Sequence, residues 1–299
     1  MKNIVIFDEY QELDLKPKEL FQQFLKMTEK DVRENVVEKG ELKECQSLGS
    51  DTAEGQPAFN KFGLNYLQCS QSQMLYVSPR PSDEAVLEFY RSSPSAQFWR
   101  EELSKVSDQK RKEKIIKPRL QWIVDSTQEY LAGAQHWVDI NISQFAYLQE
   151  VMSSEFFQKK TLINPFLSAE ELSQDSNVDV VNKPWWDTSL DAKADIVSLF
   201  EVADRTSDVH ALFEKVGSML NEGGLLFMTG ILASGLDVQV LWNKAANIFP
   251  PDRLNVFTIE AIQYLAKKHS FECLELSTPG VLDVSIIEDA IQANHHTDM

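Results

Sequence analysis

From His136 onward the chain alternates short apolar runs with amphipathic stretches, and this alternation limits the available folds more than any other feature. The runs Trp137 to Asn141, Thr161 to Asn164, Val178 to Val181, Ile196 to Phe200, Leu225 to Thr229 and Phe271 to Leu276 have the length and composition of buried strands. Between them, Phe145 to Phe156, Ala169 to Gln174, Val209 to Leu220 and Ile259 to Lys268 carry helical spacing. This order predicts a doubly wound α/β fold with a mostly parallel sheet, because right-handed crossovers lay helices on both faces. After the helix ending at Leu220 come Gly223 and Gly224, where glycine is expected to take the left-handed conformation that ends the helix and starts the next strand.

Ahead of that region the texture differs. A short apolar run, Ile4 to Phe7, precedes Leu20, Phe21, Phe24, Leu25 and Met27 at helical spacing, which reads as a helical lead-in. From Cys45 to Pro81 short runs are broken by Gly49, Gly55, Pro57 and Gly63, with Leu64 to Leu67 and Met74 to Val77 as strands of a small β-rich module. Residues 82–131 turn helical again. Their charged stretch, Lys110 to Lys117 before Pro118, reads as a solvated helix face whose mixed signs suit salt-bridge pairs. The expected organisation is therefore residues 1–81 as lead-in and β-rich module, 82–131 as helical linker, and 132–299 as the α/β domain.

With 299 residues, 43% of them hydrophobic, the chain can bury a sizeable core as one large domain or two ordinary ones. Its 29 basic and 46 acidic residues give a net charge of −17, a field that repels phosphate backbones and anionic lipid. No nucleic-acid partner is expected. An odd, sparse set of cysteines, Cys45, Cys69 and Cys273, argues against a secreted disulfide scaffold. Met1 to Tyr10 lacks an apolar stretch of signal-peptide length, and no window has the roughly 20 apolar residues of a membrane span. A soluble cytoplasmic protein with no membrane span is the expectation.

Two segments go beyond fold class. Asp195 to Val284 contains, in order, the words FEV (from Phe200), EGG (from Glu222), FPPDRLN (from Phe249) and STPGVLDV (from Ser277). It resembles the second half of class I S-adenosylmethionine-dependent methyltransferases of the kind found with polysaccharide and other surface-sugar gene sets. Upstream, YVSPRPSDEAVLEFYRSSPSAQFWREE, Tyr76 to Glu102, is similar to the linker that such proteins carry between a small zinc ribbon and the methyltransferase domain. The resemblance implies a Rossmann-like fold, S-adenosylmethionine as cofactor, and a sugar or sugar nucleotide as methyl acceptor.

It also implies where the chemistry would lie, and there the sequence departs from the pattern. The first strand of the family ends in an acidic residue and a glycine-rich turn, since glycine lets backbone amides approach the cofactor. Here Asp139 is present, but Asn141 and Ser143 stand in the turn, followed by Phe145. The second strand should end in a carboxylate for the ribose hydroxyls. Asn164 stands there, and a neutral acceptor contributes about half of a charge-assisted bond. Trp185, Trp186 and Asp187 fall where an apolar wall and an acid flank the adenine. After the fourth strand Glu201 and Asp204 are implied at the acceptor cleft, but the histidine of relatives is replaced by Arg205, which stays protonated and is no base. In Pro250 to Asn255 two typical histidine positions hold Asp252 and Arg253, leaving Asp252 as the stand-in base if its pKa is raised.

The N-terminal module shows the same departure. A zinc ribbon needs four Cys or His ligands, yet Leu48 and Ser72 follow Cys45 and Cys69 at the knuckle spacing, and no histidine precedes His136. A degenerate ribbon without metal is expected, in which Cys45 and Cys69 could face one another as a disulfide. His295 and His296 read as a solvated tail.

Two functions follow. One is a non-catalytic or altered-ligand relative, a pseudoenzyme with a binding or assembly role toward a protein partner or a second copy of itself. The other is a working methyltransferase with an unusual donor pocket, acting on a sugar or sugar nucleotide, since an activated sulfonium needs little beyond alignment. An unrelated doubly wound binding protein is a third reading.

Overall fold

The structure, a computed structural model, describes residues 2–3, 15–51, 54–142, 145–167, 177–278 and 282–297. In chain order its elements are β1 (Lys2–Asn3), α1 (Lys18–Asp31), β2 (Gly55–Lys61), β3 (Leu64–Cys69), β4 (Leu75–Val77), α2 (Asp83–Ser92), α3 (Pro94–Phe98), α4 (Ser104–Arg111) and α5 (Lys117–Tyr130). There follow β5 (His136–Ile140), α6 (Phe145–Ser153), β6 (Lys159–Ile163), β7 (Val178–Val181), β8 (Ala194–Phe200), α7 (Val209–Met219) and β9 (Leu220–Thr229). The chain ends with α8 (Leu236–Leu241), β10 (Asn255–Val256), α9 (Ile259–Lys268), β11 (Glu275–Leu276) and α10 (Asp283–Thr297). By packing the chain divides into two units, Asp108–Gly230 and Met1–Ser107 with Ile231–Met299. Packing thus divides the chain at other points than the texture changes at 81 and 131.

In the unit 108–230, a parallel sheet of five strands runs in the order β7-β6-β5-β8-β9 among the described residues. This is the mixed α/β, parallel-sheet architecture that the alternation of strands and helices predicts. The first strand in sequence is central and the order reverses beside it, between β5 and β8, the place where doubly wound sheets open a crevice at the carboxyl ends of their strands. Every residue of β5 is buried, as a strand covered on both faces requires. The core joins Trp137, Leu148, Val151, Phe157, Leu162, Ile196, Phe200 and Phe227. Trp137 also donates its indole N–H to Ser198 Oγ at 2.8 Å, so its polar end is satisfied inside.

Several sequence expectations are revised here. The strand read at Phe271 to Leu276 shortens to β11, which pairs in parallel with β1 and not with the five-stranded sheet. The helix α7 ends through Leu220 in an extended conformation (φ −83, ψ 145), not through glycine. Strand β9 begins at that same residue, and Gly223, at φ +73, lies inside it, near the register shift against β8. The helix read at Ala169 to Gln174 lies outside the described residues. The charge run is not wholly solvated, because Lys112 pairs with Glu150 of α6 at 2.5 Å.

In the other unit an antiparallel sheet runs β10-β4-β3-β2. Its hairpin β2–β3 turns through Phe62 (φ 55) and Gly63 (φ 92), successive left-handed residues that match the strand twist. Asn60 Oδ1 accepts the Gly63 N–H at 3.2 Å and closes the turn. Leu64, Tyr66, Leu75, Val77, Val86, Phe89, Leu254 and Val256 share one core. The lead-in helix α1 places Phe24 edge-on to Trp99 and Phe249, at 4.8 and 5.8 Å between ring centroids. Cys45, Cys69 and Cys273 are in no disulfide, so the Cys45 to Cys69 bridge does not form. Among the described residues no group of three or more His, Cys, Asp or Glu side chains is placed to hold a metal ion.

Candidate functional site

Strand β5 carries Asp139 into the middle of the sheet, in register with Leu162 on one side and Ser198 on the other. Its carboxylate is 1% exposed and accepts three side-chain hydrogen bonds: from Tyr147 Oη of α6 at 2.8 Å, from Asn141 Nδ2 at 3.3 Å, and a short one from Ser198 Oγ. Burial pushes the carboxyl up to about 6, and the three hydrogen bonds oppose that rise without cancelling it. The same burial, with the Asp139 charge beside it, drives the Tyr147 phenol well above its ordinary range.

Asn141 is 2% exposed, donates its backbone N–H to the Ile163 carbonyl at 3.0 Å, and turns its amide onto Asp139. Asn164, just past β6, is 1% exposed, and its Oδ1 accepts the Phe166 N–H at 2.9 Å, a local turn that asparagine favours. Ser143 lies outside the described residues. Trp185 is buried and meets Trp186 edge-on at 5.3 Å, whereas Asp187 is exposed in the same short turn.

At the end of β8 the chain reverses through Glu201, a non-glycine residue at φ +58 whose N–H is held by the Thr229 carbonyl at 3.0 Å. Arg119 of α5 donates from Nη2 to its Oε1 at 2.9 Å. Arg205 lies 3.5 Å from its Oε2 and donates to the Glu201 carbonyl at 2.7 Å. Arg119 also stands 5.4 Å from the Phe200 ring centroid. Burial lowers the pKa of Arg111, which feels Glu201 and Asp108 in its favour and Arg119 and Arg205 against it. Asp204 is fully buried against Gly230, where an added Cβ would sit 2.4 Å from its Oδ1.

Asp252 belongs to the other unit. Its Oδ1 accepts the Tyr90 hydroxyl at 2.8 Å and its Oδ2 pairs with Arg253 at 2.7 Å. Both oxygens are thus engaged by fixed partners. Tyr66 Oη donates to the Arg253 carbonyl at 2.6 Å, and Arg80 Nη1 donates to Asn255 Oδ1 at 2.9 Å, so the segment 252–255 is pinned by buried polar contacts.

Within the unit 108–230, the structure brings together Asp139 and Asn141, and it gathers Arg119 and Arg205 on Glu201. Sequence reasoning missed Ser198, Tyr147, Arg119 and Tyr90. Ser198 gave one signal, a lone hydroxyl inside the apolar run Ile196 to Phe200. Arg119 was hidden at the edge of a charge run read as solvent-facing.

Residues 134–276 match a family profile described as a methyltransferase domain. No curated protein matches the chain. Among solved structures, the chain is similar to the sugar N-methyltransferase KedS8 from Streptoalloteichus, at 17% identity, 42% coverage of this chain and 53% of that one, with a TM-score of 0.36. It is also similar to the N-methyltransferase NodS from Bradyrhizobium japonicum in complex with S-adenosyl-L-homocysteine, at 13% identity, 50% and 72% coverage, and a TM-score of 0.38. A third is the plantazolicin methyltransferase BpumL, at 12% identity, 70% and 89% coverage, and a TM-score of 0.44. The chain spans about half the length of the KedS8 structure, 53% of it. Among the described residues no helix is long and apolar enough to cross a membrane.

Proposed function

We propose that this protein keeps a methyltransferase fold for binding or assembly, with its donor position altered and methyl transfer lost. One observation carries the reading: the side chains at the carboxyl ends of β5 and β6 are turned inward onto protein partners. S-adenosylmethionine needs a ribose acceptor after the second strand and an open backbone along the first turn. Asn164 is spent on the Phe166 N–H and Asn141 on Asp139, and both are almost fully buried. In this reading the residues present do not fit that donor. The role left to the fold is to hold a different ligand, a protein partner or a second copy of the chain.

Calorimetric titration with S-adenosylhomocysteine tests the reading without needing an acceptor. The expected result is no heat and no thermal shift at millimolar ligand. Micromolar binding, about −8 kcal/mol, would overturn it and restore the working methyltransferase acting on a sugar or sugar nucleotide. In that case Asp139→Asn and Asp252→Asn should each abolish turnover of the acceptor found.

A further inference from the structure

We infer that Arg119 and Arg205 form a binding site for the phosphate group of a small ligand, which Glu201 fills with its own carboxylate in the free protein. The two guanidinium groups reach one point from different elements, Arg119 from α5 and Arg205 from the turn after β8. They take one carboxylate oxygen each, at 2.9 and 3.5 Å. Carboxylate and phosphate present the same paired oxygens to such a fork, so what holds one recognises the other. A phosphate dianion brings more charge and a further oxygen than the resident carboxylate.

Further features point the same way. Arg119 stands over the Phe200 ring at 5.4 Å from its centroid, a contact that favours a cation there. Glu201 presents its carboxylate from a left-handed backbone, a conformation that costs free energy in a residue with a Cβ and that gathers at ligand sites. The side chains of Arg119, Arg205 and Glu201 are 26%, 14% and 23% exposed, so water and a ligand reach them, and a pair open to solvent is weak enough to exchange. The place is also the right one, at the carboxyl end of β8 beside the reversal of strand order between β5 and β8. Arg111 is close enough to feel Arg119, Arg205, Glu201 and Asp108, so a third guanidinium and a second carboxylate share the neighbourhood. The inference does not depend on whether the donor position is closed.

Free phosphate and the phosphate of a nucleotide share this chemistry, and the probes separate them. The full chain is titrated with inorganic phosphate and, separately, with uridine diphosphate, each at ionic strength matched with sodium chloride. Phosphate should bind the unaltered protein, and Glu201→Gln, which removes the competing charge, should bind it about tenfold more tightly. Arg119→Ala with Arg205→Ala should weaken it by about tenfold or more, and Arg119→Lys, which keeps the charge but not the fork, by several-fold. Uridine diphosphate binding more tightly than phosphate assigns the site to a nucleotide, and equal affinity assigns it to free phosphate. Absence of phosphate binding in both the unaltered protein and Glu201→Gln would overturn the site. So would unchanged affinity in Arg119→Lys, the variant expected to fold as the parent does.

Discussion

Asp139, which the resemblance sets beside the cofactor, is also a buried carboxylate whose energetics follow from its surroundings. A carboxylate is placed in the centre of a buried sheet and given three donors, yet burial still wins and its pKa stands at about 6. An unfolded aspartate titrates near 4. The folded state therefore binds the extra proton between those values, and stability falls as pH rises through that window. Below about pH 4 both states are protonated and nothing is lost; above about pH 6 the full penalty, about 3 kcal/mol, applies. Urea unfolding of the unaltered protein and of Asp139→Asn at pH 4 and pH 7 measures it: the difference in unfolding free energy between them should shift by about 3 kcal/mol against aspartate. A difference that stays flat across that range would refute the assignment. Removing the Tyr147 donor with Tyr147→Phe should cost about 1 to 3 kcal/mol at pH 7. Aspartate at the first strand was legible in the sequence. Its partners Ser198 and Tyr147 were not, because they meet it only through strand register and a helix turn.

At the scale of elements the sequence was read most accurately where an apolar run is bounded by breakers. Val178–Val181 and Ile259–Lys268 lie at the residues expected, the second opened by Thr258, whose hydroxyl accepts the Ala261 N–H at 3.2 Å. Gly223 and Gly224 misled, because glycine serves a strand irregularity as readily as a helix end, and only the pairing with β8 decides between them. Two other glycines give opposite predictions. Gly217 lies inside α7 with nothing within 4 Å of an added Cβ, so Gly217→Ala should stabilise by about 0.5 to 1 kcal/mol through helix propensity. Gly230 is crowded by the buried Asp204 carboxylate at 2.4 Å, so Gly230→Ala should destabilise by about 1 to 3 kcal/mol. Urea midpoints of the two variants moving in the same direction would contradict the packing described at Asp204.

For the whole molecule the decisive quantity is charge. Alternation of strands and helices made the sheet legible, while the grouping of residues 231–299 with the N-terminal segments arises from long-range pairing, such as β10 beside β4, that no local pattern encodes. Net charge needs no such pairing and is read directly: at −17 the compact state repels itself at pH 7. Raising ionic strength from about 0.01 to 0.15 M shortens the screening length from roughly 30 to 8 Å, so sodium chloride should raise the melting temperature over that range. Screening is blind to the identity of the anion, whereas a site is not. At equal ionic strength phosphate should therefore stabilise beyond chloride, by the excess that binding to the native state adds. In Arg119→Ala with Arg205→Ala the protein is two charges more negative. Its chloride response should persist or grow while the phosphate excess disappears. A phosphate excess that survives the double substitution would mean that it comes from exclusion of phosphate from the protein surface or from binding elsewhere, not from this site. Loss of both responses together would mean that the stabilisation never came from self-repulsion of the whole chain.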